Sequence, residues 1–120
     1  MGKKITPAQI LAGIALLGAF ILTVVPAAER PVTGLGQNIE HFLCFALVGA
    51  AAATAFRLSL RALLSAAVLF ALLLELSQIP LPTRHARLED FIVDALSGCA
   101  GILAARTLTW FSRGVARVPD

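Results

Sequence analysis

The chain has 120 residues, of which 58% are hydrophobic and 14% charged, with a mean hydropathy of +0.86. A water-soluble domain carries about one quarter charged residues, so this composition excludes a free-standing soluble enzyme, and the length suits a single domain, 1–120. The net charge of +3 would point to nucleic acid only if the basic residues formed a stripe on a folded surface; here they lie between apolar runs, so no nucleic-acid partner is expected.

Four apolar runs follow, over residues 8–25, 39–56, 62–79 and 89–111. Each is about 18–23 residues long, enough to cross a hydrocarbon core of about 30 Å as a helix. The first is preceded by Lys3 and Lys4, and Thr6-Pro7 supplies an N-cap and a proline at the first helical position, where no backbone donor is lost. A cleaved secretory signal is the competing reading, because small residues follow Val25-Pro26. A signal's apolar core is only about 7–15 residues, however, so a retained helix is preferred.

The second run opens with Glu40 and His41 and then becomes very small from Gly49 to Ala55. Small side chains let helix backbones approach closely, which matters in lipid because hydrophobic burial no longer drives helices together. The third run is leucine-rich, carries Glu75, Ser77 and Gln78 near its end, and is stopped by Pro80 and Pro82. The fourth contains the interface-loving pair Trp110-Phe111. Cys44 and Cys99 lie at different depths in their runs and read as small buried apolar residues, not as a disulfide. The expected architecture is all-α, an integral membrane bundle of four transmembrane helices.

The basic residues set its orientation. With the N-terminus in the cytoplasm, Lys3, Lys4, Arg57, Arg61, Arg106, Arg113 and Arg117 are cytoplasmic, against Arg30, Arg84 and Arg87 outside. The positive-inside rule then places both termini in the cytoplasm.

In this topology the unusual polar residues gather at the outer end of the bundle: His41, Glu75, Gln78, Arg84, Asp90 and Asp94. Glu75 lies about 6 Å inside the proline stop at about 1.5 Å per residue. An intramembrane carboxylate costs about 2.5–3.5 kcal/mol at the bilayer centre and less near the edge, so it is expected to face a partner or a wet cavity. Gln78 shares its face at i+3. On the fourth helix Asp90, Asp94, Ser97 and Gly101 share another face, acidic at the outer end and small lower down. The two faces are expected to meet, with Arg84 or Arg87 folding over them. The bland reading is a clamp: ion pairs and amide bonds fixing helix register, with Glu89 and Asp90 capping the fourth helix. A protonated Glu75 bonded to Gln78 would satisfy the same physics. No HxxxH or HExxH spacing makes a metal site, and no nucleophile elbow or phosphate-binding glycine loop is present. Neither metal nor cofactor is expected.

His41-Phe42, then Glu75-x-x-Gln78, then Arg84 six residues before Asp90, then Asp94 and Gly101, together resemble the VanZ-like family of small bacterial membrane proteins, over about residues 36–105. The resemblance implies that the Glu-x-x-Gln pair, the Arg and the Asp are the recurring polar positions, with a His-Phe pair opening the preceding helix. This chain departs at Gln37-Asn38, where the family often has Asp-Lys, which removes an ion pair beside His41. It departs again at Asp94, where Asn is common, and at Ser97, where the first of two glycines is usual, although Gly98 is adjacent. The family's founding member is associated with resistance to teicoplanin, a glycopeptide that acts at the outer surface of the plasma membrane.

The leading expectation is therefore a multi-pass protein of the bacterial plasma membrane that acts at its outer face on the cell envelope. It would bind or modify a lipid-linked or anionic headgroup, with Arg84 as the fork donor. Membrane lipids, a lipid-linked envelope precursor and a second copy of the chain are the expected partners. The alternative is a non-catalytic structural or accessory protein whose polar cluster is an internal clamp, packed through Ser97, Gly98 and Gly101. Paired acids and a histidine could support proton transfer, but no activated nucleophile accompanies them. A proton-coupled carrier ranks last, since no polar path reaches the inner side.

Overall fold

The computed structural model describes residues 2–30, 33–81 and 87–116. Pro82, Arg84 and Arg117, which entered the reading of the sequence, lie outside the described residues. Among the described residues the fold is four α-helices, α1 (Pro7–Val24), α2 (Gln37–Ala55), α3 (Leu60–Gln78) and α4 (Leu88–Val115), with a short 3-10 turn at Ala27–Glu29. All four are long and apolar enough to cross a membrane.

Local chemistry sets the boundaries. Thr6 caps α1 through a reciprocal box: its Oγ1 accepts from the Gln9 N–H, and the Thr6 N–H donates to Gln9 Oε1, while Pro7 opens the helix. Gly36 (φ +91°) turns the chain into α2, and a side chain there would be strained. Glu40, in the first turn, reaches back so that its Oε1 accepts from the Thr33 N–H (3.1 Å) and Oγ1 (2.5 Å). Ser59 caps α3 by accepting from the Ala62 N–H at 3.2 Å, which starts that helix earlier than its apolar run. The expected capping of α4 by Glu89 or Asp90 is not what forms. Arg87 holds the N-cap position without a side-chain cap bond, and both acids lie in the first turn, where they act on the helix dipole. At its other end α4 runs on past the apolar pattern to Val115, with the hydroxyls of Thr109 and Ser112 donating back to the carbonyls of Ala105 and Thr109.

Packing is uneven. α2 lies along α4 for most of its length, α3 covers another side of α4, and α1 rests mainly on α2. At the α2–α4 seam, a Cβ built on Gly49 would stand 2.1 Å from the Gly98 carbonyl oxygen, and one on Gly101 would stand 1.9 Å from that of Ala46. The backbones touch there, as small residues permit in lipid. Below the seam, Ala53, Leu63, Ile102 and Ala105 form a small apolar core. Most large apolar side chains point outward instead, among them Leu47, Leu69, Leu96 and Leu103. In water so much exposed apolar surface would drive association; in a bilayer it is the surface that lipid wets.

Candidate functional site

The connectivity brings the start of α2, the end of α3 and the start of α4 to one end of the bundle. His41 is one turn into α2, Glu75 and Gln78 lie in the last turns of α3, and Asp94 is nearly two turns into α4. Glu75, Gln78 and Asp94 are each no more than 5% exposed. The shared Glu75/Gln78 face is thus the buried face of α3.

His41 Nδ1 lies 2.9 Å from Asp94 Oδ1. With Nδ1–H donating to this carboxylate the tautomer is fixed, leaving Nε2 as the other ring position. Phe45, one turn below, stacks on the imidazole with ring centroids 6.2 Å apart, and it also touches Phe70 of α3. The ring is held on one edge by a carboxyl oxygen and on one face by an aromatic plane. Beneath Asp94, the Ser97 hydroxyl donates to the carbonyls of Val93 and Asp94. Gly101 then admits the backbone of α2 at Ala46, and Gly49 of α2 lets the Gly98 carbonyl approach. The close seam below is what brings His41 within reach of Asp94.

Glu75 is held differently. Its Oε2 accepts the Arg87 backbone N–H at 3.1 Å, so among the described residues Arg87 reaches it through its amide. The α3 and α4 faces do meet, but Asp94 turns to α2 and not to Glu75's neighbours. Asp90 is half-buried in the first turn of α4 and makes no hydrogen bond or ion pair among the described residues. Its charge nevertheless acts on His41, Glu75 and Asp94, so the acids form one electrostatic group.

Two buried oxygens, Glu75 Oε1 and Asp94 Oδ2, have no hydrogen-bond partner among the described residues. An unfilled buried acceptor costs about 1–3 kcal/mol. The arrangement can therefore take up donors, such as hydroxyl, ammonium or water, beside an imidazole positioned to carry a proton. Among the described residues, no group of three metal-ligating side chains is placed to hold an ion.

The VanZ/LLP1 family matches residues 4–110. The chain belongs to the VanZ/LLP1 family. The match takes in α1 as well as the three helices that carry the polar positions. No curated protein and no solved structure matches the chain. Among VanZ/LLP1 features, the Asp94 position acquires a physical meaning here, because its carboxylate is the partner of His41. Sequence reasoning overlooked Phe45, although its i+4 spacing from His41 places both on one helix face. It also overlooked Arg30, Thr33 and Glu40 as neighbours of the site. They flank a loop, where no periodicity signals proximity.

Proposed function

We propose that this VanZ/LLP1 protein sits in the bacterial plasma membrane with both termini cytoplasmic, and that its polar end faces outward and binds or modifies a lipid-linked headgroup of the cell envelope. One observation carries the reading: two buried carboxylates each keep one unfilled oxygen beside a histidine fixed in orientation. A headgroup bearing hydroxyls or an amine supplies the missing donors, and a phosphate or carboxylate on the same headgroup suits Arg84 as a fork partner. The His41–Asp94 pair would move or hold a proton for that group. A link to glycopeptide (teicoplanin) resistance follows from the family resemblance alone and is part of the proposal.

A second reading is favoured by the same pair, which bridges α2 and α4 across 53 residues of sequence. As a clamp, the cluster would only hold the bundle together. Substituting Glu75→Gln, Arg84→Lys and Asp90→Asn one at a time separates the two. A headgroup site predicts a lost envelope phenotype with thermal stability in detergent retained, whereas a clamp predicts that both fall together. Single cysteines at positions 33, 59 and 86, labelled from outside intact cells, test the orientation. Labelling at 59 but not at 33 and 86 would reverse it.

A further inference from the structure

Between α1 and α2, next to the site, lies a cavity of about 300 Å³. Its lower wall is apolar, with Leu22, Leu43 and Phe45, and its upper wall carries Arg30, Glu40 and His41. Arg30 is only partly exposed, and its Nε and Nη2 are enclosed without a hydrogen-bond acceptor among the described residues. The carboxylate that lines the same cavity, Glu40, has its Oε1 committed to the Thr33 N–H and Oγ1, and no Arg30–Glu40 ion pair forms. His41 lines the cavity as well: Nδ1 is taken by Asp94, while Nε2 has no hydrogen bond among the described residues.

An enclosed guanidinium with two donors unfilled and no direct ion pair among the described residues, above an apolar wall, in a helix pair that lipid surrounds, is matched by one kind of molecule. We infer that the α1–α2 cavity is a lateral binding site for a phosphate-bearing lipid of net negative charge, whose phosphate no headgroup ammonium neutralises, with Arg30 holding the phosphate and Leu22 and Leu43 the upper part of an acyl chain. Guanidinium and phosphate pair as a two-pronged fork, and the chain enters sideways from the bilayer without crossing water. The inference rests on the headgroup reading above, since His41 is shared by the cavity and the acidic cluster, and it names the substrate class and the side of entry. Arg30 becomes a positioning residue, holding the phosphate while the rest of the headgroup passes beneath His41 toward Asp94 and Glu75.

The full chain, purified in micelles doped with equal amounts of phosphatidylglycerol and phosphatidylcholine and released for native mass spectrometry, tests this directly. Wild type is expected to retain the anionic lipid over the zwitterionic one by about tenfold, the equivalent of about 1.4 kcal/mol. Arg30→Gln should bring the ratio to parity, Arg30→Lys should keep most of it, and Arg57→Gln, at the opposite end, should leave it unchanged. The lysine variant guards against reading a folding defect as lost binding. A preference that survives Arg30→Gln, or that disappears equally in both Arg30 variants, overturns the assignment. Displacement of the lipid by millimolar inorganic phosphate alone also overturns it, as the site would then be one for a free anion. The lipid ratio does not depend on the envelope phenotype. Loss at Arg30→Gln with Glu75→Gln silent would retain the cavity and sink the headgroup reading, and the reverse outcome would do the opposite.

Discussion

The seam between α2 and α4 and the polar end just above it are built on opposite terms. Along the seam the backbones touch: Gly49 meets Gly98, Gly101 meets Ala46, and no space remains for a carbon added to Gly49 or to Gly101. At the polar end, buried oxygens of Glu75 and Asp94 go unfilled, and one edge of the His41 ring is uncommitted. A region that is complete in itself serves stability. A region that is buried yet incomplete bears a standing cost, and binding is the natural way to offset it. The difference teaches that tight packing low in the bundle is what allows unsatisfied groups to be held in place higher up.

Breaking the seam should have the largest effect. Gly101→Ala and Gly49→Ala each place a carbon within van der Waals overlap of a backbone carbonyl, which cannot swing aside as a flexible side chain can. We expect each to destabilise by about 3 kcal/mol, the upper end of ordinary overpacking, visible as a lowered midpoint of thermal unfolding in detergent. A midpoint unchanged in both would mean that the helices do not meet as described. At the polar end, His41→Ala removes the donor from Asp94 Oδ1 and should cost about 1.5–3 kcal/mol, as for a hydrogen bond to a charged group. Because the pair is nearly enclosed, with His41 14% and Asp94 1% exposed, salt should alter this loss little. A loss that vanishes in high salt would argue for a solvent-exposed pair. The smallest effect is expected for Asp94→Asn, which keeps the Oδ1 acceptor for His41 while removing the charge. Stability should change by less than about 1 kcal/mol, so any larger fall in envelope phenotype reports on the charge itself.

How much of this was legible beforehand varies with the range of the interaction. The four helices were readable because apolar runs of membrane-spanning length leave little choice of structure, and the Thr6-Pro7 start of α1 is a local signal. The shared burial of Glu75 and Gln78 was readable from i+3 spacing. The partner of Asp94 was not, since acceptors on α4 could have met donors from α2, α3 or the loop, and only the depth of the α2–α4 seam selects His41. The small residues from Gly49 onward announced a close approach without naming its partner. Arg87 illustrates a different limit. Its charge drew notice in the sequence, yet the group that reaches Glu75 is its backbone amide, which any residue other than proline would supply. Arg30, flanked by loop residues with no period, was invisible as a site.

The 28 residues of α4 also act as a depth gauge. Its upper end is level with α2 at the His41–Asp94 pair, and its lower end is level with the α2–α3 connection where Arg106 donates to the Leu58 carbonyl at 2.6 Å. Everything from Thr107 onward is overhang, and it carries the Trp110–Phe111 edge-to-face pair that prefers the water–lipid boundary. From Trp110 back to Asp94 is sixteen positions, or about 24 Å of helix. Against a hydrocarbon thickness of about 30 Å, an indole anchored at one boundary holds Asp94 about 6 Å short of the other. The aromatic overhang thereby sets the immersion of the opposite end, keeping the carboxylates just below the waterline.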